Sequence, residues 1–507
     1  MNKKGVLIVS VLFLALMVVP LSTSGANPRY GGTLRASVYH EIVTGDPHRS
    51  SSYVDRQLLQ NLYNTLVTYD KDLNIVPELA ESWKTPDPKT YIFKLRKGIK
   101  FHDGTEFNAE AVKFNLERVL DPKTKSRARG EISAIKSVEV LDAYTVKLNL
   151  AYPFSPLLAG LTDRAGFMIS PTAFKKMGPD EFGRHPVGTG PFEFAEWVRD
   201  DHLTLKRFEG YWEKGLPYLD RVVFKPIPDQ AVKLTNLKSG ALDVIDDVLP
   251  KDVKGVKRSK DLLLYEVPSF GFNALRLNCT KPPFNNKALR QAVAYAVDRE
   301  AIWEHLFYKT GIVGHGPIAP VSWAYDPNDF RYTCDLNKAR EKLREGGKPK
   351  GFKFTMYTKI SPIDVQVAQV MQAQLKRVGI ETKIVQLEGA LHLKVMLEKT
   401  YEGNYGLWSG YPEPDTNLYR QFHPKGSANW TGYADPRVTE LLDKARESLN
   451  HAERKRYYSE ALDIIIRDAP QIFVYYYPRR AGVSAKVQNF VLYPDGKLRF
   501  KTVWLSR

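Results

Sequence analysis

The chain reads as an α/β protein of two or more domains, on three observations. Its 507 residues exceed what one hydrophobic core usually organises. Phe352, Phe354 and Met356 alternate as a strand, Val367, Met371, Leu375 and Val378 recur at helical spacing, and Ile380, Thr382 and Ile384 alternate again. Strand, helix and strand in that order predict a parallel pair joined by a crossover helix. Finally, Tyr91 to Pro122 reads as a hairpin running into a helix. Tyr91, Phe93 and Leu95 form an apolar face, Lys97-Gly98 turns the chain, Ile99 and Phe101 resume a strand, and Asp103-Gly104 turns it again. Asn108 then caps a helix carrying Val112, Leu116 and Val119, which Asp121-Pro122 ends.

At the amino terminus, Lys3 and Lys4 precede an apolar run from Val6 to Leu21, and Ser24-Gly25-Ala26 sets small residues where signal peptidase cuts. Residues 1–26 are therefore expected to be a signal peptide cleaved after Ala26, giving a soluble periplasmic protein. The alternative is an uncleaved anchor. No cysteine stands near the cut, so a lipid anchor is not indicated. The net charge of +17 points to an anionic surface, a nucleic acid or an acidic ligand. The densest basic patch, Lys251 to Lys260, holds no aromatic residue to stack a base, which argues against nucleic acid. Cys279 and Cys334 are the only cysteines, and an oxidising compartment makes them a disulfide candidate.

Tyr30 to Leu34 opens the mature chain as a strand. Ser51, Ser52 and Tyr53 belong to a polar loop before a helix carrying Leu58, Leu59, Leu62 and Leu66. Residues 132–150 read as a hairpin turning at Asp142-Ala143. Arg164 follows Asp163 beside an apolar strand; it is placed either to fork onto a ligand carboxylate or to pair with that acid. Gly188-Thr189-Gly190 lacks the third glycine of a dinucleotide fingerprint. Val232 to Ala241 reads as a helix, and Asp243, Asp246 and Asp247 after it lack a defined cation loop. Pro436 starts a helix, Asn450 with Glu453 resembles a capping box for the next, and Ile472 to Tyr477 reads as a buried strand. No catalytic or metal motif appears, and no cofactor is expected.

Three blocks within sixteen positions, Leu95-Arg96-Lys97-Gly98, Phe101-His102-Asp103-Gly104 and Phe107-Asn108-Ala109-Glu110, resemble the signature of the extracytoplasmic solute-binding proteins of family 5. Val76 to Trp83, Pro186 to Phe192, Arg207 to Trp212, Asn278 to Pro283 with Leu289 to Glu300, and closing strands from Leu492 to Trp504 extend the likeness from about Tyr30 to the end. The resemblance implies a three-lobed periplasmic binding protein-like fold (type II, cluster C-like) with a hinged ligand cleft. It implies a first domain of residues 27–72, 188–270 and 483–507, a second of 73–187 and a third of 271–482. The implied role is that of a monomeric binding protein that is not an enzyme. It captures a small-molecule or peptide ligand between the first and third lobes and delivers it to ABC permease subunits; a secreted hydrolase is the alternative.

The candidate ligand residues are Trp408, Ser409, Gly410, Tyr411 and Asp415 in one stiff loop, with Ser51, Ser52, Tyr53 and Arg164. Two readings of Ser51 to Tyr53 stay open, a cleft contact and a turn that starts the helix. Peptide-binding members carry an Asp before Tyr-Pro-x-Pro that pairs with the peptide's ammonium. Gly410 stands there instead, with Glu413 and Asp415 as possible substitutes. The expected ligand is thus a carboxylate-bearing solute other than an ordinary peptide.

Overall fold

Residues 27–506 are described by the computed structural model; the expected signal segment lies outside them. Alternation builds the second lobe. In the strand Thr90–Leu95, Tyr91, Phe93 and Leu95 are buried and Lys94 is exposed. It pairs antiparallel with Ala80–Asp87 and Thr145–Leu150, and Ile135–Asp142 completes four strands. Asn108 Oδ1 accepts the Ala111 amide at 3.1 Å and starts the helix Ala109–Leu120, whose Val112, Leu116 and Val119 are buried in this lobe's core. One expectation fails here. Ile99 and Phe101 are buried but form no strand; only the isolated Lys100–Glu106 bridge links the two sides. Two turns so close together leave too little chain for a ladder.

A seven-stranded sheet makes the first lobe, with Thr33–Val38 at its centre, parallel to Arg221–Pro226 and Val244–Ile245. The chain enters this sheet at Thr33, returns at Phe192, and returns last at Arg479, ahead of the boundary expected at 482/483. The closing segment is irregular rather than stranded: Val487–Gln488 pairs only with Trp504–Leu505. Leu498, Phe500 and Val503 between them pack into the first core. The Gly188-Thr189-Gly190 block lies against the end of the helix Asp55–Leu62. A Cβ at Gly188 would stand 2.2 Å from the Leu62 carbonyl oxygen, so no larger residue fits. Of the acidic trio, Asp246 pairs with buried Lys233 and Asp243 accepts the Arg35 amide at 2.8 Å.

The third lobe holds six strands and the largest core. Its crossover unit is Lys353–Lys359, Pro362–Lys376 and Glu381–Leu387, in parallel register with Phe354 opposite Thr382 and Met356 opposite Ile384. Gln471–Tyr476 is buried along its whole length. Arg290 and Arg299 are structural: buried, they donate to the carbonyls of Asp468 and Phe473 at 2.8 and 2.7 Å. Asn450 accepts the Ala452 and Glu453 amides, but Glu453 turns to Ser448 Oγ, so the capping box is half made.

The disulfide expectation is corrected: both thiols are free. Cys279 is packed against the third core, its thiol facing the Leu277 carbonyl at 3.5 Å, whereas Cys334 is exposed. The chain crosses between the first and third lobes twice, through 268–271 and 477–478. The crossings are joined: Ser269 Oγ donates to the Tyr477 carbonyl and accepts the Gly271 amide. Among the described residues no helix is long and apolar enough to cross a membrane, and no cluster of three or more His, Cys, Asp or Glu is placed for a metal ion.

Candidate functional site

A small chamber, about 30 Å³ in volume, lies where the three lobes meet. Four separate stretches wall it. The first is the start of the helix Asp55–Leu62, with Tyr53 and Arg56; the second is the Ala159–Asp163 turn of the second lobe. The third is Gly410 to Glu413 and Thr416, and the fourth is the Asp495–Lys497 turn, with Tyr69 and Glu131 filling the gaps.

Side-chain amides set the fourth wall. Gln57 accepts the Leu498 amide at 2.6 Å and donates to the Gly496 carbonyl at 3.3 Å. Asn61 donates to the Leu498 carbonyl and accepts the Phe500 amide. One helix face thus holds the tail turn against Arg56.

The Gly410 loop is held from behind. Tyr477 Oη donates to the Trp408 carbonyl at 3.0 Å and Arg479 Nη2 to the Ser409 carbonyl at 3.1 Å, tying the loop to an interlobe crossing. Asn417 closes it from within, accepting the Tyr411 amide at 3.1 Å and donating to the Tyr411 carbonyl at 2.7 Å.

Arg56 is the hub. Its Nη1 donates to Asp163 Oδ2 at 3.1 Å and its Nη2 to Tyr411 Oη at 3.0 Å. Lys497 Nζ lies 3.3 Å from the same Asp163 oxygen and 3.5 Å from Asp495. Burial pushes the Asp163 carboxyl up, but Lys497, Arg56 and Arg164 together hold it down at about 2. Its Oδ1 is buried without a partner, as is Arg56 Nε. Burial likewise works to raise Tyr411, yet Arg56, Arg420 and Arg164 overcome it and bring the hydroxyl down to about 7. The corner around Tyr411 is electropositive, while the lining as a whole sets Glu131, Asp163, Glu413 and Asp495 against Arg56 and Lys497.

Of the expected residues, Tyr53, Gly410 and Tyr411 line the chamber and the others do not. Trp408 ends the strand Gly403–Trp408 instead of standing in the loop. It is 6 % exposed, donates Nε1 to Asn417 at 3.0 Å, and packs between Tyr411 and Trp430. Ser409 contributes only the carbonyl bound by Arg479. Asp415 lies in the helix Pro414–Phe422 and makes a buried two-pronged pair with Arg446 at 3.0 and 2.7 Å. Ser51 is exposed, and Ser52 Oγ accepts the Val54 amide at 3.0 Å, so these serines form the turn that leads into the helix. Arg164 stands behind the wall, donating to the Ser50 carbonyl at 3.1 Å and lying 3.6 Å from Glu131 rather than pairing with Asp163. Neither substitute for the missing Asp is at liberty: Glu413 caps the next helix through the Asp415 amide and pairs with Arg454.

Sequence reading missed Arg56, Lys497 and Asp495 and took Asp163 only as a partner for Arg164. Asp495-Gly496-Lys497 carries an ordinary turn pattern, and nothing local shows that it meets a helix more than four hundred residues away. The lobes also touch outside the chamber, with the Ser155 amide donating to the Arg446 carbonyl at 2.9 Å, and at its wall, with Arg420 lying 3.4 Å from Glu131.

Three sheet-built lobes around a charged chamber, with two joined crossings, define a solute-binding protein of the periplasmic type. A profile of the bacterial extracellular solute-binding proteins, family 5, matches residues 74–429, and the chain belongs to that family. It is 32% identical over 473 residues to the glutathione-binding protein GsiB of Pectobacterium atrosepticum, covering 91% of this chain and 92% of that one. Among solved structures it is similar to the ABC transporter-associated periplasmic binding protein DppA from Helicobacter pylori, in complex with the peptide STSA. There the TM-score is 0.86 at 28% identity over 94% of this chain and 99% of that one. It is also similar to the binding protein AgaA from A. tumefacien R10, in complex with agropinic acid, with a TM-score of 0.84 at 29% identity over 94% and 99%. The chain is thus a substrate-binding component of ABC import, and the hydrolase alternative falls. Binding proteins of this family capture small ligands or peptides and deliver them to ABC permeases.

Proposed function

We propose that this protein captures a small carboxylate-bearing solute, of the glutathione or opine kind rather than an ordinary peptide, in the chamber around Arg56. The carrying observation is the Tyr411 hydroxyl, which accepts from Arg56 Nη2 at 3.0 Å beside Arg420, 5.4 Å from its ring; these cations draw it down to about 7 despite burial. A wall that favours a phenolate favours a ligand carboxylate in the same place. Gly410 supports the second half of the reading. Its φ is +73°, and a Cβ there would stand 2.2 Å from the Phe270 carbonyl, so this position is closed to the Asp that peptide binders use. A peptide ammonium placed beside Gly410 lacks the carboxylate that peptide binders put there, which costs several kcal/mol. The relatives that bind glutathione and agropinic acid support the same class.

The bound solute holds the first and third lobes together about the two crossings, and the closed form docks on the permease as a monomer. The exported chain begins at Asn27, which intact-mass analysis of secreted protein tests; retention of residues 1–26 or an acyl chain overturns that part. Calorimetry on the mature chain with glutathione, agropinic acid, and di- to pentapeptides beside their N-acetylated forms tests the rest. Saturable binding of a carboxylate solute without turnover is expected. Micromolar binding of ordinary free peptides, abolished by acetylation, overturns it.

A further inference from the structure

The chamber contains a group of charges that the closure of the fold does not consume. Arg56 and Lys497 sit on the same oxygen of Asp163, at 3.1 and 3.3 Å, and Lys497 is shared with Asp495 at 3.5 Å. The second oxygen of Asp163 and the Nε of Arg56 are both buried and unpartnered, on residues that line the empty chamber. Asp163 is 7 % and Arg56 4 % exposed. A buried carboxylate oxygen without a donor costs roughly 1–3 kcal/mol, so a ligand group that reaches this oxygen from the chamber would be favoured there. The other lining carboxylates are accounted for: Glu413 is held by Arg454, Asp495 by Arg499, and Glu131 by Arg164 and Arg420.

What completes the group follows from its charges. Asp163 Oδ1 accepts only, so it calls for a donor, and an ammonium is the strongest. Arg56 Nε donates only, so it calls for an acceptor, and a carboxylate is the strongest; Lys497, already placed against Asp163 and Asp495, adds its charge beside it. Both demands arise within one ion-pair distance of each other. They are met together by a group that carries an ammonium and a carboxylate on the same carbon.

Resting on the function proposed above, we infer that Asp163, Arg56 and Lys497 recognise a free α-amino-acid head, so that the chamber selects solutes such as γ-glutamyl peptides over α-linked ones. The ammonium docks on Asp163 Oδ1 and the carboxylate on Arg56 and Lys497, and the four kinds of charge then alternate in sign. An ordinary peptide separates its terminal ammonium from its terminal carboxylate by the length of the chain and meets only one of the two demands. A γ-glutamyl peptide keeps both on the glutamyl α-carbon and places its peptide bonds on the side chain.

The test uses two isomers of identical composition and charge, γ-glutamyl-cysteinyl-glycine and α-glutamyl-cysteinyl-glycine, titrated calorimetrically into the mature chain. The γ isomer is expected to bind at least about tenfold more tightly, and N-acetylation is expected to weaken it by a similar factor. Asp163→Asn is expected to remove the preference between isomers. Because that variant loses a buried ion pair and can fail to fold, the isomer comparison on the unaltered protein carries the test by itself. Equal affinity for the two isomers, or undiminished binding of the acetylated γ isomer, overturns the head-group inference while leaving carboxylate capture intact. Binding of agropinic acid with neither isomer bound also overturns it. No saturable binding of any carboxylate solute brings down both readings.

Discussion

Replacing Tyr411 by Phe isolates the electropositive corner on which the proposed function rests. The hydroxyl accepts from Arg56 Nη2 at 3.0 Å, and a hydrogen bond to a charged group contributes about 1.5–3 kcal/mol. That is the expected destabilisation below neutral pH, where the phenol is protonated in both folded and unfolded chains. Above it the difference grows. Tyr411 titrates near 7 in the fold against 10.0 unfolded, so between those values the native state has lost a proton that the unfolded state still holds, and stability rises with pH. It is lost again as pH falls through 7. Three units at about 1.4 kcal/mol each set a ceiling of ~4 kcal/mol; solvent screening at a half-buried ring reduces this to an expected 1–2 kcal/mol. Urea denaturation of both proteins without ligand, at about pH 6 and about pH 9.5, reads the difference. Tyrosinate absorbance should show a step near neutrality in the native protein that the Phe variant lacks. Since the phenolate competes with a ligand carboxylate for the same arginines, affinity for the solute should decline above pH 7 in the parent chain alone. A stability difference that is flat across this range, with every tyrosine titrating at or above pH 10, refutes the electropositive-corner argument.

Trp408→Ala should cost about 3–5 kcal/mol of stability, since the indole is buried and bonded to Asn417; a variant that keeps its denaturation midpoint and loses only ligand affinity would return Trp408 to the chamber. Gly410→Asp should not create a peptide amino-terminus site but should lower the melting temperature, because the new side chain meets the Phe270 carbonyl. A stable variant with new affinity for free peptides refutes this. Alkylation under native conditions should label Cys334 quickly and Cys279 slowly, burial having pushed the Cys279 thiol up to about 11, and reductant should leave the melting temperature unchanged. A single mass shift on reduction would show a bond between them.

Sequence alone determined the local elements and the family. Period-two alternation at Tyr91 to Leu95 and the strand–helix–strand pattern at 352–384 are properties of neighbouring residues, and burial of one face follows from them directly. Asn108 ends one backbone conformation and starts another by a bond spanning three residues, so it too is readable along the chain. Where reading failed, the deciding contact was distant. Trp408 looked like a cleft aromatic because its loop is rich in proline and glycine, but strand parity turned it into the third core. Asp415 looked like a free charge and Arg164 like a ligand fork or a partner for Asp163, and each is instead held by a residue of another element, Arg446 and Glu131. The chamber itself assembles Arg56, Asp163, Tyr411 and Lys497 from four stretches that nothing in the sequence relates. Only the docking of the tail turn on Gln57 and Asn61, and of the Gly410 loop on the crossing, brings them within ion-pair distance. Charges act over a few ångströms in space whatever their separation in sequence, so tertiary structure alone decided which were spent on the fold and which were left facing the chamber.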